Sequence, residues 1–109
     1  MRKILVCTSA LGLMLAAGFT VSAQKAGDAA KGKEVFEQCS VCHNADTDEK
    51  KVGPSLKGLF KREKLKNGKP VTEQNVLAVI NAGGNGMPSY ADILSADEKA
   101  NVIAYLKTL

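Results

Sequence analysis

The chain of 109 residues contains no tryptophan, three phenylalanines, two tyrosines, three prolines and one histidine. So few large aromatic side chains leave little apolar volume to fill the centre of a domain. No segment shows the apolar and polar alternation that is typical of a half-buried strand. In a chain this short, disulfides, a metal or a cofactor often complete the core. The sequence therefore predicts helices joined by irregular segments, around a core that a bound group helps to fill.

An excess of charge of one sign is also missing. The chain has fifteen Lys and Arg against eleven Asp and Glu, and two of the basic residues lie before residue 24. Residues 24–109 therefore have a net charge of only +2. A balance this close to neutral gives no indication of binding to nucleic acid or to a membrane surface, and we expect neither as a partner.

The first 23 residues have the pattern of a secretory signal peptide. Two basic residues precede an uncharged stretch from 4 to 21 that is mostly Leu, Ala, Gly and Val. Val21-Ser22-Ala23 then places small or modest side chains before a polar segment, as at a signal-peptidase site. We expect 1–23 to be removed, leaving 24–109 as one periplasmic domain without a membrane span. The alternative is an uncleaved membrane anchor, because the apolar stretch approaches the ~20 residues of a spanning helix.

Three stretches have the apolar content and end signals of helices. The first begins near Asp28, a good N-cap residue, and runs towards Cys39. The second runs from 72 to 82 and the third begins at Ser95. Between the first two lies a polar loop, punctuated by Gly, Pro and Asn, with one short helical turn at Leu56–Phe60. A loop this long in a compact domain is usually functional or wraps around something.

The segment Cys39-Ser40-Val41-Cys42-His43 has the form C-x-x-C-H of a c-type haem attachment site. Residues three apart lie on one face of a helical turn, so both sulfurs can reach the vinyl groups on one side of a porphyrin. His43 is then held beneath the iron and can present a neutral imidazole nitrogen to it. The sequence predicts one covalently attached haem c, with Cys39 and Cys42 as attachment points and His43 as an axial ligand of the iron.

Three other interpretations of the two cysteines have less support. A structural disulfide between Cys39 and Cys42 would leave the long loop and the sparse core unexplained. A thioredoxin-like redox pair expects a βαβ setting, which this sequence lacks. A zinc site would need carboxylates as further ligands, because residues 24–109 contain only two cysteines and one histidine.

The second axial ligand follows largely by elimination. His43 is the only histidine, and Met87 is the only methionine within 24–109. Glycines before Met87 let the backbone bend and approach a porphyrin closely, and Pro88 disfavours helical geometry at Met87. The chain between His43 and Met87 is long enough to pass to the other face of a haem. The alternative is a methionine that fills a gap in the core.

These segments together resemble class I cytochrome c, and the likeness covers nearly all of residues 27–109. Besides the Cys39–His43 motif, VGPSLKGLF at 52–60 is similar to the family's segment after the haem site. GMPSY at 86–90 resembles the methionine-ligand loop of its small bacterial members. The resemblance implies a compact all-α cytochrome c fold, in which the N- and C-terminal helices cross around one covalently bound haem.

The resemblance also implies roles for individual residues. Gly32 and Phe36 are expected where the two terminal helices cross, against Tyr105. Pro54 is expected to accept, through its carbonyl, a hydrogen bond from the proximal His43, which would orient the imidazole and tune the iron. Arg62 is expected near a haem propionate. The propionate-bonding tryptophan of mitochondrial members has no counterpart, so further propionate partners are unassigned.

The predicted function is electron transfer. An iron with both axial positions filled by protein binds no substrate, and thioether sulfur stabilises its ferrous form. We therefore expect a monomeric one-electron carrier between redox proteins of a periplasmic electron-transport chain, with no enzymatic activity. The alternative is a haem-based ligand binder, sensor or peroxidase-like enzyme in which Met87 leaves the iron and opens the distal side. The only histidine is already assigned to the proximal side, so no obvious distal acid–base residue is present.

One part of the long loop is strongly basic. A single glutamate interrupts this concentrated stretch, which comprises Lys57, Lys61, Arg62, Lys64, Lys66 and Lys69. The hypothesis is that Lys57, Lys61, Lys64 and Lys66 steer an acidic redox partner to the haem edge. The alternative is an ordinary solvated loop.

Overall fold

The structure is a computed structural model that describes residues 26–109. The signal peptide predicted for 1–23 lies outside the described residues. None of the helices within the described range is long and apolar enough to cross a membrane. The same range contains no strand, only two isolated β-bridges, so the predicted all-α class is confirmed. The elements are α1 (Ala29–Phe36), a 3-10 turn (Leu59–Lys61), α2 (Glu73–Ala82) and α3 (Ala96–Leu106).

Side-chain caps explain where each helix begins. The Asp28 carboxylate accepts hydrogen bonds from two N–H groups in the first turn of α1, at 2.9 and 3.2 Å. The Thr72 hydroxyl accepts one from the first turn of α2, at 3.1 Å. Ser95 and Glu98 bond to each other's backbone N–H groups at the start of α3, as a capping box does. The three starts agree with the predicted ones because a cap depends on residues that are close in sequence.

α1 runs through Phe36 in the direction of Cys39, as the sequence predicted. It ends at Phe36 because the next N–H bonds three residues back instead of four and tightens the last turn. The short helical turn lies at Leu59–Lys61 instead of Leu56–Phe60. Gly58 has a φ of 66°, in the left-handed region, so no right-handed helix can pass through it.

α1 and α3 cross at close range. A Cβ atom built on Gly32 would lie 1.9 Å from the backbone oxygen of Asn101, so only glycine lets the two backbones approach this far. The Asp28 N–H donates to the Asn101 side-chain oxygen at 2.8 Å. The rings of Phe36 and Tyr105 pack beside this contact, with centroids 5.2 Å apart and planes tilted by 53°. The predicted crossing of the terminal helices is present.

The core is small, and partly buried hydrophobic residues pack against it. Met87, Cys39 and Tyr90 are among them. Two residues of the predicted haem site are therefore next to the same apolar cluster. Among residues 26–109 this cluster comprises Phe36, Leu59, Val76, Ile80, Leu94, Val102, Ile103 and Leu106, none more than 9% exposed.

Replacing Gly32 with alanine should lower the free energy of unfolding by about 1–3 kcal/mol, because the added methyl group overlaps the Asn101 carbonyl and forces the helices apart. Urea denaturation followed by circular dichroism measures the change. Lys33→Ala, on the exposed face of α1, is the control and should stay within about 0.5 kcal/mol of the parent. An unchanged or higher midpoint for Gly32→Ala would contradict the close crossing.

Candidate haem-binding site

The attachment motif occupies helical turns that continue directly from α1. The N–H of Cys39 donates to the carbonyl of Phe36 at 2.8 Å, and the N–H of His43 donates to the carbonyl of Cys39 at 2.9 Å. The second bond spans four residues, as in an α-helix. Cys39 and Cys42 therefore lie on one face of a turn, which is the arrangement that the spacing predicted.

The two cysteines are half-buried free thiols. Burial, and to a smaller extent the neighbouring Cys42, raises the pKa of the Cys39 thiol. Burial raises the pKa of the Tyr90 hydroxyl too, with smaller contributions from Cys39 and Cys42. Tyr90, three residues after Met87, therefore lies within electrostatic range of both sulfurs, and the segment that follows Met87 comes close to the attachment motif.

His43 makes a hydrogen bond that fixes its tautomer. Its Nδ1 donates to the carbonyl oxygen of Pro54 at 2.7 Å. A carbonyl can only accept, so Nδ1 carries the proton and a neutral imidazole has its lone pair on Nε2. The structure thus contains the bond that the family resemblance implied, and it leaves Nε2 available as a metal ligand.

Gly53 is a site residue whose role the sequence reading missed. A Cβ atom at this position would lie 2.5 Å from Cε1 of His43, so the imidazole packs directly on the glycine backbone. The Gly53 N–H also donates to the carbonyl of Cys42 at 2.8 Å. The role of Gly53 could have been predicted from its position immediately before Pro54. The Pro54 carbonyl can bond to the imidazole only if the backbone beside it comes close to the ring.

Met87 closes a tight turn. Gly84 and Met87 exchange two backbone hydrogen bonds of 2.9 and 3.0 Å across Asn85 and Gly86. Positive φ angles at both central residues, 52° and 89°, are those of a type I′ turn, which favours Asn-Gly. A Cβ atom built on Gly84 or Gly86 would have no protein atom within 4 Å. Within the described residues, glycine is therefore favoured here by its positive φ and not by lack of space.

The segment after Met87 is tied to the end of α2. The N–H of Tyr90 donates to the carbonyl of Ile80 at 3.0 Å, and the Ser89 hydroxyl donates to the carbonyl of Asn81 at 2.5 Å. Carbonyls in the last turn of a helix have no hydrogen-bond donor within the helix. The carbonyls of Ile80 and Asn81 accept hydrogen bonds from the loop instead. The partly buried Met87 is therefore held both by its own turn and by α2.

Arg62 is exposed and binds the loop that precedes it. Its Nη2 donates to the carbonyls of Ser55 and Lys57, at 3.0 and 2.7 Å. The buried Ser55 in turn donates its hydroxyl to the carbonyl of Thr47. A guanidinium has five N–H donors, so a contact with a haem propionate is compatible with these two bonds and stays a prediction.

The structure gives no support to the other interpretations of the cysteines. Cys39 and Cys42 are not joined by a disulfide. Over residues 26–109, no group of three or more His, Cys, Asp and Glu side chains could hold a metal ion, so the carboxylates of a zinc site are missing. What remains is a donor set that suits haem c: two thiols on one turn, an imidazole with a free Nε2 and a partly buried thioether.

Comparison with known proteins identifies the family. The family model described as Cytochrome c matches residues 29–109. The chain belongs to the cytochrome c family. Cytochrome c2 of Rhodospirillum rubrum is 33% identical over 128 aligned positions, which cover 92% of this chain and 95% of that protein.

Two further similarities agree with this family. Cytochrome c2 of Blastochloris viridis is 46% identical over 63 residues, 57% of this chain, but the match spans only 45% of that relative's length. The solved structure of cytochrome c6 from the diatom Phaeodactylum tricornutum has a TM-score of 0.59 and 29% identity, over 75% of this chain and 93% of that one. The protein is thus a c-type cytochrome, a mono-haem electron carrier with covalently bound haem c and redox proteins as partners.

Replacing Arg62 with alanine should lower the free energy of unfolding by about 1 kcal/mol, because two loop carbonyls lose their donor and water replaces only part of the contact. Thermal or urea unfolding of the holoprotein measures it. Lys64→Ala removes another exposed cation from the same loop and should change stability by less than about 0.5 kcal/mol. Equal effects of the two substitutions would show that the carbonyl contacts do not hold the loop.

Proposed function

We propose that this chain carries single electrons between redox proteins of a periplasmic electron-transport chain, by means of a haem held by Cys39 and Cys42 and ligated by His43 and Met87. The observation that carries the proposal is the hydrogen bond from His43 Nδ1 to the Pro54 carbonyl, which in a neutral imidazole leaves the lone pair on Nε2. A neutral imidazole is a good iron ligand, and half-buried His43 lies on the same turn as both thiols.

Haem c, when bound, supplies an iron that passes between the ferrous and ferric states with one electron. Cys39 and Cys42 would hold the haem covalently through their two sulfurs, from one helical turn. His43 follows Cys42 directly, so the backbone ties the imidazole to the two attachment points.

Pro54 and Gly53 hold the imidazole of His43 in place. The Pro54 carbonyl accepts a hydrogen bond from Nδ1–H, which makes the lone pair of Nε2 more basic as a metal ligand. The same bond fixes the plane of the imidazole ring. The bare backbone of Gly53 lets the imidazole lie close enough for that bond. The proximal ligand therefore needs little reorganisation when the charge of the site changes by one electron.

Met87 would be the second residue that holds the iron. Its partly buried position against the core, and the bonds that tie its turn and the following residues to α2, favour one fixed placement of the thioether. Thioether sulfur stabilises ferrous iron and raises the potential relative to more basic ligand pairs. An iron held by both His43 and Met87 would have no open position for a substrate, and the sequence contains no second histidine that could serve as an obvious distal acid–base residue.

The proposed location of the protein is the periplasm, which it would reach by export. The pattern of residues 1–23 supports a cleaved signal peptide and a mature domain of residues 24–109 in the periplasm. Covalent attachment of haem to a C-x-x-C-H motif takes place outside the cytoplasm, which agrees with such a route. We expect the mature domain to be a monomer.

Met87→Ala should remove the weak near-infrared band that arises from charge transfer between the methionine sulfur and ferric iron. The mature protein is made in a host with haem-attachment machinery, and oxidised and reduced absorption spectra are recorded. Leu77→Ala, which truncates another partly buried side chain packed against the core, is the matched control and should keep the band.

Other spectra would point elsewhere. A parent protein without the band, high-spin and shifting on addition of carbon monoxide or cyanide, would favour the ligand-binding alternative with an open distal side. A parent protein without covalent haem would contradict the roles of Cys39 and Cys42.

The exposed lysines of the long loop are proposed to attract an acidic redox partner. Changing Lys61, Lys64 and Lys66 together to glutamine should slow oxidation by the anion ferricyanide several-fold at low ionic strength and flatten its salt dependence. Stopped-flow absorbance of the ferrous protein measures both. A variant with the same charge change at Lys31, Lys33 and Lys50 is the control, and an equal effect in the two variants would leave only net charge as the cause.

A further inference from the structure

Two Asn-Gly pairs occur in the described part of the chain, and their surroundings differ. In Asn67-Gly68 the glycine N–H donates to the carbonyl of Leu65 at 3.0 Å. The Asn67 side-chain oxygen also accepts from the N–H of Lys69 at 3.0 Å. In Asn85-Gly86 neither the asparagine amide nor the glycine N–H has a hydrogen-bond partner among residues 26–109, and both residues are exposed.

The backbone around Asn85 can change conformation without losing its hydrogen bonds. The two bonds that close the turn belong to Gly84 and Met87, outside the Asn85–Gly86 peptide. Rotation of that peptide plane converts a type I′ turn into a type II′ turn, and both forms keep the closing bond. Glycine accepts either sign of φ at position 86, and Asn85 keeps its positive φ in both forms. The type II′ form favours glycine at the position of Asn85, so it is the less populated of the two.

The rotated form brings together the two atoms that must bond to close a five-membered succinimide ring. In a type II′ turn the first central residue has ψ near about −120°, which turns the next nitrogen towards its own Cβ. The nitrogen of Gly86 then faces the side-chain amide carbon of Asn85. No other protein group has to move out of the way, because this part of the turn is exposed.

We propose that Asn85 is a site of spontaneous deamidation. The Gly86 nitrogen attacks Cγ of Asn85, the Cγ–Nδ2 bond breaks, and ammonia leaves with the former N–H proton. Water then opens the resulting succinimide at one of its two carbonyls, giving aspartate or isoaspartate. The only co-reactant is water, and no electrons are exchanged.

Asn67 should react more slowly for a physical reason. The same rotation at Asn67-Gly68 breaks the bond from Gly68 to Leu65, and side-chain attack requires release of the Asn67 oxygen from Lys69. Each net hydrogen bond lost reduces the reactive population by up to about tenfold. We therefore expect deamidation at Asn85 to be about five- to a hundredfold faster than at Asn67.

The modification changes the surroundings of Met87. Isoaspartate adds a methylene group to the backbone inside the turn that Gly84 and Met87 close, and either product adds a negative charge two residues before Met87. The longer backbone cannot keep both closing bonds at their present lengths, so the thioether is held less firmly. This consequence rests on the proposed ligation of the iron by Met87, whereas the reactivity of Asn85 does not.

The test follows the holoprotein during incubation at mildly alkaline pH. Peptide mass spectrometry measures the gain of one mass unit at Asn85 and at Asn67, and a synthetic peptide of residues 83–88 provides the rate without the fold. Absorption spectra of the same samples follow the near-infrared sulfur-to-iron band. Asn85→Gly, which tolerates positive φ and cannot deamidate, and Asn67→Gly are the matched variants.

We expect isoaspartate at Asn85, at a rate close to that of the peptide, and a parallel loss of the band that Asn85→Gly prevents and Asn67→Gly does not. Equal rates at Asn67 and Asn85, or a rate at Asn85 more than about tenfold below that of the peptide, would overturn the proposed site. Isoaspartate with an intact band would overturn its effect on the turn. A parent protein that lacks the band from the start would contradict Met87 ligation and leave the mass measurement valid.

Discussion

The backbone contact between Gly32 of α1 and Asn101 of α3 determines where the haem site lies. α1 is short, and the attachment motif begins within one turn of its end, bonded to the carbonyl of Phe36. Phe36 is itself buried and packs against Tyr105 of α3. The direction in which Cys39 leaves the helix therefore follows from how the two terminal helices cross. A side chain at Gly32 would move the cysteines as well as the helix.

The long loop after the motif owes its shape to hydrogen bonds between side chains and backbone carbonyls. The side chain of His43 donates to the carbonyl of Pro54, and that of Ser55 donates to the carbonyl of Thr47. The Arg62 side chain donates to the carbonyls of Ser55 and Lys57. Each bond pairs a side chain with a carbonyl that no helix or sheet satisfies. The same loop exposes its lysines to solvent, so one segment both bonds to the imidazole of His43 and carries the proposed docking charges.

Most of what the sequence predicted correctly depends on neighbours in sequence. The helix starts at Asp28, Thr72 and Ser95 follow from capping, which acts over three residues, and the C-x-x-C-H motif is a single turn. The contact of Gly53 with His43 and the carbonyl bonds of Arg62 join residues that only the folded loop brings together. The bond to Pro54 was expected from the family resemblance, since nothing in the local pattern indicates which carbonyl a histidine will meet.

The contact between the terminal helices has a consequence for the order of events in synthesis. The hydrogen bond from Asp28 to Asn101 joins residues 73 positions apart, and the partner of Gly32 lies in the same helix. A chain that leaves the ribosome from its N-terminus has no α3 for α1 to bind until the last residues are made. The segment with both cysteines is therefore made well before α3, and the helix crossing that positions the two thiols cannot form until α3 is complete.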